Sequence, residues 1–158
     1  MSEEGIARLF TCYLGPLEIY THWDGEYWRY GRDMTTAVNE RADLHGFPLF
    51  IVSLATCTGT DVIYVMNKKG VAFDEIWVNA FPERTEDIPK VAKKIDLHFI
   101  VIGDNLPRDV VERAIRMSQE KFCSISAMVK GVTEISTKLD ILTKEEAIEK
   151  YPDMARSE

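Results

Sequence analysis

A chain of 158 residues and 18.1 kDa has the length of one domain, and 46% hydrophobic with 28% charged residues is the composition of an ordinary globular protein with a substantial core. A net charge of -7, from 19 basic and 26 acidic residues with no run of Lys or Arg, argues against a partner held through a phosphate backbone, so no nucleic acid is expected. The first ten residues, "MSEEGIARLF", lack the basic and apolar regions of a secretory signal, and no apolar run approaches 18 residues, so the expectation is a cytoplasmic protein that does not span a membrane.

In chain order, "LEIYTHWDGEYWRYGRDMTTAV" (17–38) alternates large apolar with polar side chains around Asp24-Gly25, the pattern of a strand hairpin or meander. A polar loop, "NERADLHG", precedes Pro48, whose missing N–H suits the first turn of a helix. That helix, about 20 residues long, is apolar on nearly every side and runs to Lys68-Lys69, with Gly70 placed to stop it. Its mid-helix Thr and Gly residues lower intrinsic propensity, so tertiary packing has to hold it.

Two period-two segments follow, "VAFDEIWVNAF" and "KIDLHFIVIG", separated by the charged loop "PERTEDIPKVAK". With Asp104 or Asn105 as cap and Pro107 as first residue, Val110, Val111, Ala114, Ile115, Ser118 and Phe122 form one stripe, which predicts an amphipathic helix over 107–122. A short third helix in "SISAMVKG", ended by Gly131, precedes a closing strand in "VTEISTKLDIL" with Ile135, Thr137, Leu139 and Ile141 on one face. Thr143 and Glu146 stand at capping-box spacing, which predicts a last short, exposed helix as an accessory.

The chemistry-bearing residues are few. Cys12, Cys57 and Cys123 are odd in number and far apart, which fits neither a secreted disulfide framework nor a CxxC metal pair. Cys57 reads either as a small core hydrophobe or as a reactive thiol. Cys123 falls where one helix breaks into another, so its thiol is expected at a helix N-terminus, a position that favours thiolate. Two cysteines at helix positions suit a peroxidatic and resolving pair, in which one thiolate becomes a sulfenic acid and condenses with the other thiol. His22, His45 and His98 have no zinc-ligand spacing with the cysteines, so no metal is expected. Trp23, Tyr27, Trp28 and Tyr30 read first as core or interface aromatics and second as the lining of a ligand pocket. Cys12 reads as an isolated thiol and "PERTEDIPK" as a solvated loop.

"FPLFIVSLATCTGTDVIYVMNKKGV", followed 66 residues after its Cys by "MSQEKFCSIS", resembles the OsmC/Ohr family of thiol-dependent hydroperoxide reductases. The resemblance covers about residues 20–142 of a single domain, leaving an N-terminal extension (1–19) and a C-terminal helical tail (143–158). It implies an α+β fold in which antiparallel sheets surround two long central helices, assembled as an intertwined homodimer with a site at each end of the interface. It further implies Cys57 as the peroxidatic and Cys123 as the resolving cysteine, organic hydroperoxides as substrates, a lipoyl-type or other dithiol as reductant, and no cofactor. The better-studied branches carry a Glu about ten residues before the peroxidatic Cys, which orients an activating Arg. Here that stretch reads "DLHGFPLF", which places the chain nearer the divergent OsmC-like branch and leaves Asp43 or His45 as substitutes for the Glu. Cys57 lies too deep in its helix for the dipole to act on it, so a cation is required. Arg29 and Arg41 are the candidates, ahead of Arg32. Asp61, one turn after Cys57 on the same face, would by itself raise the thiol pKa. The alternative function is a non-catalytic dimer of the same fold that binds an apolar small molecule at the subunit interface.

Overall fold

A computed structural model describes residues 18–31 and 46–152 of the chain. Among the described residues five strands form one sheet in the order β2-β1-β3-β4-β5: β1 Ile19–Trp23, β2 Trp28–Gly31, β3 Glu75–Arg84, β4 Ala92–Ile102 and β5 Glu134–Leu142. Four α-helices accompany it among the described residues: α1 Gly46–Lys68, α2 Arg108–Met117, α3 Ser124–Val129 and α4 Lys144–Lys150. The fold is α+β.

The hairpin turns at Asp24-Gly25 as its sequence requires. Asp24 Oδ1 accepts from the backbone N–H groups of Glu26 and Tyr27, and Gly25 takes φ +101°, a conformation open to glycine. Neighbouring strands run antiparallel from β2 to β4, but β5 lies parallel to β4, pairing Lys94 with Glu134 through Ile102 with Leu142. This departs from the antiparallel arrangement expected. Its cause is the helical crossover of α2 and α3, which returns the chain to the end of the sheet from which β4 started, as parallel neighbours require.

Period-two alternation separates the sheet into two unlike faces. Ile19, Ile76, Val78, Ala80, Ile95, Leu97, Phe99 and Val101 pack with Ile51, Leu54, Ala55 and Val62 of α1 and with Val111 and Ala114 of α2. Each large aliphatic buried there stabilises the fold by about 1.5–3 kcal/mol relative to an exposed position. The opposite face carries Trp77, Ile100 and Ile102, covered by Ala147 of α4, with His22 stacked on Trp77 at 4.3 Å between ring centroids. The tail helix is therefore part of the fold's packing and not an accessory, since Ala147 is 2% exposed. Thr143 and Glu146 do form the capping box.

α1 meets the length and mean hydropathy that would let a helix cross a membrane, but one side of it is packed against the sheet, as in the core helix of a globular fold. It ends as predicted at Gly70, φ +66°, where Gly70 N–H donates to Asn67 O and Val71 N–H to Met66 O. It begins at Gly46, two residues before Pro48. Its hydroxyls are satisfied within the helix, Thr56 donating to Val52 O and Thr58 to Ala55 O. Gly59 permits a close approach: a Cβ there would lie 2.5 Å from Trp28 Cη2. The indole thus lies on α1, and its Nε1 donates to Thr60 Oγ1 at 3.1 Å.

Candidate functional site

The long second helix expected over 107–122 is interrupted. Pro107 is the N-cap of α2, which carries no side-chain cap, and after Met117 the chain widens into a π-helical turn, Ser118–Phe122. Cys123 N–H donates to Ser118 O across that turn at 2.9 Å. The amphipathic stripe is satisfied by Val111, Ala114, Ile115 and Ser118, all buried, and the extra residue in the turn swings Phe122 to an exposed position. Cys123 then takes an extended conformation and caps α3, its Sγ accepting from Ser126 N–H at 3.3 Å.

The consequence is a convergence of three side chains from two distant segments. Cys57 and Asp61, four apart on one face of α1, meet Cys123 so that the two Sγ atoms and a carboxylate oxygen all lie within 4.8 Å of one another. Both thiols are unbridged; Cys123 is buried and Cys57 half-buried. Ser118 Oγ donates to Asp61 Oδ2 at 2.8 Å, tying α1 to the π turn, and Ser126 Oγ donates to Gln119 Oε1 at 3.2 Å. Gln119 Nε2 is buried without a hydrogen-bond partner among the described residues.

Electrostatics differ from the sequence expectation at Cys123. Burial pushes its thiol above the ordinary cysteine value, outweighing the opposing Ser126 N–H contact, and interaction with Cys57 pushes the same way. Position at a helix start does not make it a thiolate, because α3 is short and the sulfur is enclosed. Burial likewise raises the Asp61 carboxyl, partly offset by the Ser118 hydrogen bond.

Of the proposed cations, Arg29 lies on the edge strand β2, where its Nε donates to Asp24 Oδ2 at 2.9 Å. Its neighbour Trp28 faces α1, so strand alternation turns Arg29 to the opposite side of the sheet. Arg32, Arg41, Asp43, His45 and Cys12 lie outside the described residues. His22 bonds Glu75 and His98 bonds Asp140, each at 2.9 Å, on the sheet face away from α1. Trp23 and Trp28 pack together against the core with ring centroids 5.8 Å apart, whereas Tyr27 is 60% exposed.

Sequence reasoning missed a groove of about 480 Å³ between the C-terminal half of α1 and α2. Tyr64, Val65, Val110, Met117 and Phe122 supply its apolar lining, with Lys68, Lys69, Asp109 and Arg113 among them. Met117 and Phe122 flank the π turn that holds Ser118 and Gln119. Only the break in the stripe at Ser118-Phe122, polar residues within an apolar face, hinted at it.

An α+β domain with a dithiol held between its central helix and a helical crossover defines a class by fold and site. The profile described as "OsmC-like protein" matches residues 46–138, more than half of the chain, and the chain belongs to that family. Protein YhfA of Escherichia coli K12 is 31% identical over 97 residues, 60% of this chain and 72% of the relative. Among solved structures, a hypothetical protein from Aquifex aeolicus VF5 superposes with a TM-score of 0.61 at 25% identity, covering 74% of this chain and 82% of that one. An OsmC-like protein of unknown function from Vibrio cholerae gives a TM-score of 0.53 at 17% identity over 83% of this chain and 89% of its own. The last of these is a likeness of fold alone.

Proposed function

We propose that the chain is a two-cysteine peroxidase that reduces organic hydroperoxides. The observation that carries the reading is the approach of Cys57 and Cys123, 66 residues apart in sequence, to within 4.8 Å at sulfur. Cys57, the more accessible of the two, attacks as thiolate the distal oxygen of ROOH; the O–O bond breaks, ROH departs with a proton, and Cys57 becomes a sulfenic acid. Sulfur of Cys123 then displaces water, forming the Cys57–Cys123 disulfide, and an external dithiol, lipoyl-type or other, restores both thiols. The net change is ROOH plus a dithiol giving ROH, water and a disulfide, with two electrons carried by sulfur and no cofactor. Cys123 rests as a thiol because burial opposes its ionisation, and its proton leaves with the sulfenic hydroxyl as water when the disulfide forms. The groove along α1 and α2 suits a substrate with an apolar body. The cation that activates Cys57 belongs in this reading to Arg41 or Arg32, since Arg29 is directed elsewhere.

We infer a homodimer from the outward side of α1, where Leu49 is 43% and Tyr64 53% exposed on a helix otherwise apolar. A reducing, cytoplasmic setting fits thiols that must be returned to the free state.

The test is consumption of cumene hydroperoxide by pre-reduced protein, with free thiols counted before and after. The reading predicts that peroxide falls and two thiols per chain disappear in the wild type, and that Cys57→Ser does neither. Peroxide left untouched by the wild type at micromolar concentration would favour the alternative, an apolar-ligand-binding dimer that has kept the fold without the chemistry.

A further inference from the structure

The same three side chains form a constellation that peroxide reduction does not use in full. Asp61 carries a negative charge beside a sulfur that has to become a thiolate, a cost to a peroxidase and an advantage to a cation site. Two sulfurs and one carboxylate oxygen within 4.8 Å of one another match the spread of ligands around a tetrahedral ion, for which Zn–S bonds of about 2.3 Å put ligand atoms roughly 3.5–4 Å apart. The spacing of Cys57 and Asp61, i and i+4 on one helical face, is the spacing by which a helix supplies two ligands to one metal. Cys123 arrives from the capping position of α3.

We propose that the reduced protein binds one zinc-class divalent cation through Cys57 Sγ, Cys123 Sγ and a carboxylate oxygen of Asp61. Thiolate donors select a soft or borderline ion over Mg²⁺ or Ca²⁺, and three protein ligands leave the fourth position to water. Supporting contacts are already formed: Ser118 Oγ donates to Asp61 Oδ2 and fixes the carboxylate, and Ser126 N–H donates to Cys123 Sγ. Binding exchanges two thiol protons for the cation, so that the dithiol and M²⁺ give the bis-thiolate complex and two H⁺. Oxidation of the pair by an organic hydroperoxide, which takes up two electrons and two protons to leave as ROH and water, turns two of the three ligands into a disulfide and releases the ion. The expectation of no metal rested on spacing within the sequence, and this set is assembled from segments too far apart for spacing to reveal it.

The experiment is anaerobic titration of the pre-reduced full chain with Co²⁺, followed by thiolate-to-cobalt charge-transfer absorption in the near ultraviolet and by displacement with Zn²⁺. The expected result is saturation at one ion per chain, full displacement by Zn²⁺, and no displacement by Mg²⁺. Cys57→Ser and Cys123→Ser should each lose about half of the absorption, and Asp61→Asn should keep it while binding weakens about tenfold or more. The disulfide form of the wild type, which needs no mutation, should show none. Absence of the absorption in the reduced wild type overturns the proposal. So does absorption that is undiminished in both cysteine variants, which would place the ion elsewhere, or undiminished affinity in Asp61→Asn. No peroxide enters the measurement, so a chain that binds cobalt but spares hydroperoxide would refute the peroxidase reading alone.

Discussion

The two sides of α1 contrast sharply. Toward the sheet, Ile51, Leu54, Ala55, Val62 and Met66 are fully or nearly fully enclosed among β-branched and aromatic side chains. Toward the crossover, Cys57 and Asp61 remain half-buried, and what faces them is a π turn and a cap instead of a continuous helix. One helix thus supplies both much of the core and one of the two facing thiols. The difference teaches that its thiol-bearing side is shaped by an interruption in its partner: a regular α2 through residue 122 would close the stripe and leave Cys123 without its present position.

If that division is real, substitutions on the two sides should separate stability from chemistry. The largest effect belongs to Cys57→Ser, which should abolish peroxide consumption while leaving the unfolding midpoint within the range of a surface change; stopped-flow assay and urea denaturation read the two. Next comes Leu54→Ala, which should cost about 2–5 kcal/mol in urea unfolding yet leave the rate of the folded protein with peroxide within a factor of about two. On the chemical side, Asp61→Asn should raise the second-order rate with hydroperoxide at neutral pH by roughly 3- to 10-fold, the effect of removing a like charge from beside the attacking thiolate.

Smaller still, Thr143→Ala should cost about 1 kcal/mol by removing the cap of α4, with faster amide exchange over 144–150 and over the Trp77 cluster it covers. The smallest is a pH effect at the hairpin. Hydrogen bonds from Tyr27 N–H chiefly, with those from Glu26 and Arg29, hold the Asp24 carboxyl at about 2, below its ordinary 3.8. A lowered folded-state pKa gives stability that is present above 3.8 and lost as pH falls through about 2. Wild type and Asp24→Asn should therefore differ most near neutrality and converge in acid, which chemical denaturation between pH 2 and 7 can check.

Much of this was legible in the sequence, because local signals decide it. Asp24-Gly25, Gly70 and the Thr143/Glu146 pair each carry their own turn or cap chemistry, and α1 is long and apolar enough to read at sight. Pairing partners are another matter. Nothing within β5 says that it will lie parallel to β4, because that depends on where the crossover returns the chain. The role of α4 was hidden for a similar reason: Ala147 looks ordinary until Trp77 is found beneath it. In the site, the two cysteines stood out and helical spacing put Asp61 beside Cys57, but the meeting of both with Cys123 and the anchoring of Asp61 by Ser118 emerge only when α1 and the π turn are brought together. Arg29 illustrates the converse, a plausible cation that strand alternation turns to the other side of the sheet.

The central claim is that Cys57 and Cys123 act as one redox pair. It is tested most directly by treating pre-reduced protein with one equivalent of cumene hydroperoxide, alkylating the remaining thiols and mapping disulfide-linked peptides by mass spectrometry. The account predicts a Cys57–Cys123 link in nearly every chain, with Cys12 alkylated. A chain whose Cys57 and Cys123 are both recovered alkylated, or linked to other partners, would contradict it.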